Sequence, residues 1–229
     1  MTTTTRRRIL VASLLVAGAL GAGCNVLSLP FFVFGPEPKR EAELLKLAAD
    51  DKRQPVRVAI LVSNGEKIKM EFMRVEYQLT DLLGQQLTEL CKYNGENVTV
   101  VPARRVEEFK SAHPEWNRGG IELAEIGRRL KADYVVFVAI NSITMYETGS
   151  LKELLRGQLH ANVSVVNVNQ TDDGAKSRDF HDLFPEEGPV PVGIDKQPDQ
   201  FREEFLTHAA KKLSWLFTSH PTRDSYDGK

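Results

Sequence analysis

The amino-acid sequence predicts an α/β domain in which helices pack against a mixed sheet of about five strands. Residues 56–62 form a nearly continuous apolar run, which is typical of a strand buried on both faces. Residues 70–93 repeat apolar side chains at spacings of three and four, which predicts a long amphipathic helix. Asp173 and Gly174 separate two further strand-like segments, and an Asp-Gly pair is typical of a hairpin turn.

The first residues of the chain have the pattern of an export signal. Arg6, Arg7 and Arg8 form a positive cluster, and no charged residue follows until Glu37. The apolar segment at 9–20 is shorter than the roughly 20 residues that a membrane span needs, so it fits a cleaved signal peptide better. The arginines also resemble the twin-arginine export signature, and both the twin-arginine and the general export route stay open.

Gly21-Ala22-Gly23-Cys24 resembles the bacterial lipobox, although Leu20 lies one place further from the cysteine than the family's leucine does. The resemblance implies cleavage between Gly23 and Cys24 and attachment of a lipid, with palmitate among its acyl chains, to the Cys24 thiol. The alternative is an uncleaved signal anchor, because the uncharged run continues beyond the cysteine. Both alternatives place the domain outside the cytoplasm, facing the periplasm.

Residues 25–38 form an apolar tether that ends in prolines, and its three phenylalanines either insert into the membrane interface or pack on the domain. Asn25 follows the cysteine where some families carry an aspartate retention mark, which favours the outer over the inner membrane. The leucines of the next segment, 39–51, have near-helical spacing and predict a short helix. The predicted organisation is a signal peptide at 1–23, lipidated cysteine and tether at 24–38, one domain at 39–221, and a polar tail at 222–229.

The first half of the domain predicts parallel strands joined by helical crossovers. Asn94-Gly95 ends the long helix, and the apolar residues at 98–101 predict the second strand. A strand, a crossover helix and another strand make a right-handed parallel unit. The next predicted elements are helices at 103–110 and 121–130 and a third, central strand at 133–140.

The second half predicts an antiparallel hairpin followed by a helix. A loop around 145–155 leads to the hairpin strands at 158–169 and 176–184. The Pro/Gly-rich segment at 185–198 is either a binding loop or locally disordered, because it exceeds the usual length of a connection. Apolar residues at helical spacing predict the last helix at 199–219.

This order of elements, together with the segment 125–135 (EIGRRLKADYV), resembles the small α/β domain of several bacterial envelope proteins. These are the curli-secretion lipoprotein family, the lipoprotein activators of penicillin-binding proteins and the N-terminal domain of TolB-type proteins. The resemblance spans about 56–219 and implies a binding or assembly role without catalysis. The chain lacks an obvious pair of membrane-spanning hairpins, which argues against the pore-forming variant.

Charge and cysteine content exclude several classes of protein. The chain has 30 basic and 31 acidic residues, so loss of the three leader arginines leaves a mildly acidic protein with no general attraction to nucleic acid. Its two cysteines are Cys24 and Cys91, and lipidation of Cys24 would leave no partner for an internal disulfide. Cys91 lies among the apolar positions of the long helix, which predicts a buried, inert thiol.

The sequence offers no recognised catalytic motif and no expected cofactor or metal site. It lacks a Gly-x-Ser-x-Gly elbow, a phosphate-binding Gly-rich loop and a His-Glu-x-x-His helix. Counting outward from a turn at Asp172-Asp173 places His181 opposite Ser164 and not opposite His160, so these two histidines are not expected to meet.

Two groups of residues are candidates for recognition. Trp116 and Arg118 lie in a turn-rich segment and could contact a partner protein, although a tryptophan there could instead cover a helix junction. A basic group near predicted helix ends could meet lipid head groups or simply be solvated, and consists of Arg104, Arg105, Arg128, Arg129 and Lys131.

These features favour an exported, lipid-anchored envelope protein that binds or helps to assemble another envelope protein. The alternatives are an exported hydrolase with an unrecognised site and a subunit of an oligomeric secretion channel. Enzymatic activity is therefore uncertain, and a non-enzymatic role is favoured. The expected partners are the membrane lipid reached through Cys24 and an envelope protein of unknown identity.

Overall fold

The computed structural model describes residues 38–65, 70–117, 120–170, 175–193 and 196–222. The predicted signal peptide, its cleavage site at Gly23 and Cys24, and the apolar tether lie outside these residues. The chain divides into two compact units, one of Lys39–His220 and one of Met1–Pro38 with Pro221–Lys229. In the second of these, Thr222 donates its backbone N–H to the carbonyl of Pro38 at 3.0 Å.

The described elements mix strands and helices in the first half of the chain and form a run of strands before the last helix. The strands are β1 (Lys39–Arg40), β2 (Val56–Asn64), β3 (Val98–Val100), β4 (Tyr134–Tyr146), β5 (Leu154–Asn167), β6 (Lys176–Phe184), β7 (Val190–Pro191) and β8 (His220–Pro221). The helices are α1 (Val75–Tyr93), α2 (Ala103–Ala112), α3 (Leu123–Leu130) and α4 (Pro198–Ser214), with a 3-10 turn at Met70–Phe72 before α1.

Six strands form one mixed sheet, which confirms the predicted fold class. The strand order is β3-β2-β4-β5-β6, and β7 pairs with the beginning of β5. β2 runs parallel to both β3 and β4, whereas β5 runs antiparallel to β4 and β6. The parallel half comes from the helical crossovers and the antiparallel half from the hairpin.

Two helices, α1 and α4, cover one face of this sheet. The larger of two apolar cores lies between them and the strands. Alternate residues of β2, including Val58 and Ile60, point to this face and pack with residues of α1 and α4. Phe201 and Phe205 of α4 are completely buried there. Gly157 of β5 allows close packing, because a Cβ atom at this position would lie 2.3 Å from the ring of Phe205.

The opposite face is covered only in part. The smaller core joins Ala59 and Leu61 of β2 to residues of α2 and α3, and its described members include no residue of β5 or β6. On these two strands most of the alternate residues of this face are polar, the apolar exceptions being Leu154, Val166 and Leu183. All of them except Ser164 are exposed or half-buried. We call this surface the open face and define it by Gln158, His160, Asn162, Ser177, Asp179 and His181.

The predicted helix at 39–51 is wrong, because this segment forms hydrogen bonds with another part of the domain. Leu44 and Leu45 donate their backbone N–H groups to the carbonyl of Leu216, at 3.0 and 3.1 Å. Leu47 donates to the carbonyl of Phe217 at 3.1 Å, and its side chain is buried. The leucine spacing therefore reflects packing against the end of the domain and not helical hydrogen bonding.

Several predicted boundaries also differ from the structure. The last helix ends at Ser214 rather than at 219, and residues 215–217 form turns in which each N–H bonds to the carbonyl three residues earlier. The long helix begins at Val75, after the 3-10 turn. β4 and β5 are both longer than predicted, so their connection is 147–153 and not 145–155.

The predicted register of the hairpin is wrong, since His160 pairs directly with His181 and Ser164 pairs with Ser177. The reason is that β5 ends earlier than predicted. Val168 donates its N–H to the carbonyl of Asp133 at 2.8 Å and is buried in the smaller core. Because of this anchor, β5 and β6 pair about a centre that lies before the expected turn at Asp172-Asp173 in the sequence.

Candidate functional site

Trp116 lies in the smaller core and is only 7% exposed. Its ring makes an edge contact with Phe137 at 6.1 Å, and the Nζ atom of Lys110 lies 4.8 Å from its centre. The burial agrees with the alternative that this tryptophan covers a helix junction. Arg118 lies outside the described residues, so a partner contact by this pair stays a prediction.

Three of the five basic residues near helix ends form local ion pairs. Arg104 pairs with Glu108 at 3.0 Å, and Arg128 and Arg129 both pair with Glu125, at 2.9 and 3.0 Å. Hydrogen bonds from these two guanidinium groups lower the pKa of Glu125 below its ordinary value. These contacts fit solvated helix surfaces, and a contact with lipid head groups stays a prediction.

The predicted burial of the Cys91 thiol is confirmed. Burial raises its pKa to about 12, and the nearby charge of Glu96 contributes in the same direction. Since the thiolate is the nucleophilic form of cysteine, this thiol is a poor nucleophile near neutral pH.

A groove of about 490 Å³ follows the outer edge of β6. Its walls come from β6, from the C-terminal half of α4 and the turn after it, and from the segment near β1. We call it the edge groove and define it by Arg40, Glu43, Arg178, Asp179, Phe180, His181, Asp182, Leu183, Glu186, Lys212, Trp215, Leu216 and His220.

The first wall of the edge groove is the margin of the sheet. The six consecutive residues 178–183 of β6 line it, so residues from both faces of the strand contribute. β6 is the last strand in the order of the sheet, and its outer edge pairs with no other described strand. An outer strand of this kind presents backbone N–H and C=O groups that another extended segment can pair with.

The second wall contains a stacked pair of rings. The indole of Trp215 and the imidazole of His220 lie 4.5 Å apart and nearly parallel, with an interplanar angle of 5°. Burial lowers the pKa of His220 below its ordinary value. The Nζ atom of Lys212 lies 4.6 Å from the Trp215 ring and 3.0 Å from a carboxylate oxygen of Glu186. The stack gives this wall an apolar surface beside a charged rim.

The first wall contains a buried carboxylate. Asp182 is 8% exposed, and its Oδ1 atom lies 3.4 Å from Nε2 of His208 on α4. Its Oδ2 atom has no hydrogen-bond partner in the structure, and neither does Nε2 of His208. A buried acceptor without a donor is unfavourable.

The open face carries a second group of polar side chains that sequence reasoning missed. The rings of His160 and His181 lie 4.3 Å apart, with an interplanar angle of 84°. Beside them, Asn162 donates a hydrogen bond from Nδ2 to Oδ1 of Asp179 at 3.0 Å. The correct register would have been needed to find this pair of histidines in the sequence.

Within the described ranges, no three His, Cys, Asp or Glu residues converge as a metal site. Among the same residues, no helix is both long enough and apolar enough to cross a membrane.

The sequence matches no protein-family model and no curated protein. Among solved structures, it is similar to a PelC dodecamer from Paraburkholderia phytofirmans at 12% identity and a TM-score of 0.44, covering 80% of this chain and 99% of that one. It is also similar to lipoprotein GNA1162 from Neisseria meningitidis at 12% identity and a TM-score of 0.38, covering 70% of this chain and 99% of that one. With such low scores, we base no functional argument on these likenesses.

Proposed function

We propose that this chain is an exported, lipid-anchored envelope protein that binds an extended segment of another envelope protein in the edge groove. The observation that carries the proposal is the groove itself, which follows for six consecutive residues the outer margin of β6, where no described strand pairs. Extended peptides bind such margins by adding a strand, with the backbone providing affinity and side-chain pockets providing specificity.

The walls of the edge groove supply the features that such binding needs. Its volume of about 490 Å³ lies within the range of ligand pockets, about 300–1,000 Å³. The stacked rings of Trp215 and His220 offer apolar contact area. A guanidinium nitrogen of Arg178 lies 2.8 Å from a carboxylate oxygen of Glu43. This basic side chain of β6 therefore already has an ion-pair partner within the domain.

Delivery to the envelope is the part of the proposal that depends on the leader. A lipid on Cys24, with two or more acyl chains, would hold the domain stably at the membrane, since one chain alone gives only marginal binding. The Cys24→Ala variant should lose labelling by radioactive palmitate and leave the membrane fraction, whereas Cys91→Ala should keep both. Unchanged labelling of Cys24→Ala would exclude lipidation at this residue.

Photo-crosslinking in intact cells tests the groove. A benzophenone amino acid replaces Leu183, which lines the groove and is 43% exposed, or Tyr77 of α1, which is 39% exposed. We expect a discrete adduct with a second envelope protein from position 183 and none from position 77.

The two positions have similar exposure, so exposure alone cannot account for a difference between them. Equal adducts at both positions, or no adduct at 183, would contradict binding in the edge groove. An adduct between two copies of this chain would also overturn the proposal and favour the channel-subunit alternative.

A further inference from the structure

We propose that His160 and His181 form a binding site for a divalent transition-metal ion on the open face. The two residues are directly paired in the β5–β6 register, and their rings lie 4.3 Å apart. The proposal does not depend on binding of a partner in the edge groove.

The strand geometry brings both imidazoles to the same side of the sheet. Directly opposite residues of an antiparallel pair have Cβ atoms about 4.5–5.5 Å apart and point to the same face. Rotation of each ring about its side-chain bonds can then direct one ring nitrogen from each histidine toward a common ion, at metal–nitrogen distances of about 2.0–2.1 Å. Access is open, because His160 is half-buried and His181 is exposed.

The charged groups on this part of the face favour a cation. Asp179 lies two residues before His181 on the same face of β6, and its side chain is held by Asn162 at 3.0 Å. On β4, the residue paired with His160 is the uncharged Ser142. Arg156 is the basic residue on the same face of β5, and its guanidinium pairs with Glu147 at 3.4 Å. Asp179 therefore provides the nearest carboxylate to the two histidines in the strand pattern, and its negative charge favours a bound cation.

The number and type of ligands predict which ions bind. Imidazole nitrogen suits copper, nickel and zinc, and copper(II) binds most tightly in the usual order of affinities. Two protein ligands leave the other positions of the ion to water, since no third His, Cys, Asp or Glu among the described residues completes a cluster. We therefore expect reversible binding of Cu²⁺, then of Ni²⁺ and Zn²⁺, and no comparable binding of Mg²⁺ or Ca²⁺, which prefer oxygen ligands.

Isothermal titration of the full-length protein, purified in detergent without a histidine tag, tests the site. We expect one equivalent of Ni²⁺ to bind to the wild type at pH 7.5. His160→Ala or His181→Ala should weaken binding at least tenfold, and the double variant should bind no more tightly than either. His113→Ala is the matched control, because His113 is a half-buried histidine directly after α2 whose ring contacts Phe109 and Arg129. This variant should leave the affinity unchanged.

A thermal-unfolding series separates loss of the site from loss of the fold. Excess Ni²⁺ should raise the Tm of the wild type and of His113→Ala but not of the double variant, since an ion that binds the native pair stabilises the native state. Wild-type affinity in the His160→Ala/His181→Ala variant, or no binding of Ni²⁺ at 1 mM to the wild type, would overturn the proposal.

Discussion

The two halves of the sheet differ in how many of their faces helices cover, and the candidate sites lie in the half with one covered face. In β2 the residues of both faces are buried, those of one face under α1 and α4 and those of the other under α2 and α3. In β5 and β6 one face is buried and the other is open. The doubly covered half buries most residues of β2, whereas the singly covered half provides both the edge groove and the open face.

The largest expected effect contrasts the two sides of one strand. Leu159 of β5 is completely buried, and its neighbour His160 lies on the open face. Leu159→Ala should lower the free energy of unfolding by about 2–5 kcal/mol through lost burial and a new cavity. His160→Ala should cost less than about 1 kcal/mol, the upper value for a cross-strand pair. Urea unfolding of the full-length variants measures both, and equal losses would show that the open face is covered.

A glycine substitution tests how closely α4 packs on the covered face. Gly157→Ala places a Cβ atom 2.3 Å from the buried ring of Phe205, so the ring or the strand must shift. We expect a loss of about 1–3 kcal/mol in the free energy of unfolding, as is typical of overpacking. Gly193→Ala is the control, because nothing lies within 4 Å of its added Cβ atom. A loss at 193 as large as that at 157 would contradict this account of the packing.

The smallest expected effect is a pH dependence at the edge groove. Burial holds the pKa of His220 below the ordinary value of 6.5, which the unfolded chain regains. As the pH falls through that ordinary value, the unfolded state therefore binds more protons than the native state does, and stability decreases. This contribution to stability is complete above pH 6.5 and is lost on acidification.

Comparison with His220→Phe isolates this contribution, because phenylalanine keeps a ring beside Trp215 and does not titrate. The wild type should lose more stability than the variant between pH 7.5 and pH 5.5 in urea unfolding. Identical pH profiles would show that His220 titrates normally in the folded protein.

The sequence predicts the doubly covered half of the sheet well, because burial on two faces leaves a strong local pattern. The apolar run of β2 and the leucine spacing of α1 each identify their element, and only the ends differ. Local patterns are less informative where a segment bonds to distant residues. Leucines 44, 45 and 47 have helical spacing, yet their N–H groups bond to the carbonyls after α4.

The candidate sites were harder to predict, because they depend on contacts between residues far apart in the sequence. The edge groove joins Glu43, Asp182 and Trp215, and no local motif connects these three. The histidine pair on the open face depends on the hairpin register. This register differs from the expected one, because Val168 bonds to Asp133 and ends β5 early. Trp116 shows the converse, since a residue type common at interfaces is buried in a core here.

Photo-crosslinking from the two margins of the sheet tests the central claim most directly. Leu183 of β6 lies at the margin beside the edge groove, and Thr99 of β3 is an exposed residue at the opposite margin. The account predicts that a benzophenone amino acid at 183 captures one envelope protein in intact cells, while the same probe at 99 captures none. Capture from 99 and not from 183 would contradict the assignment of binding to the edge groove.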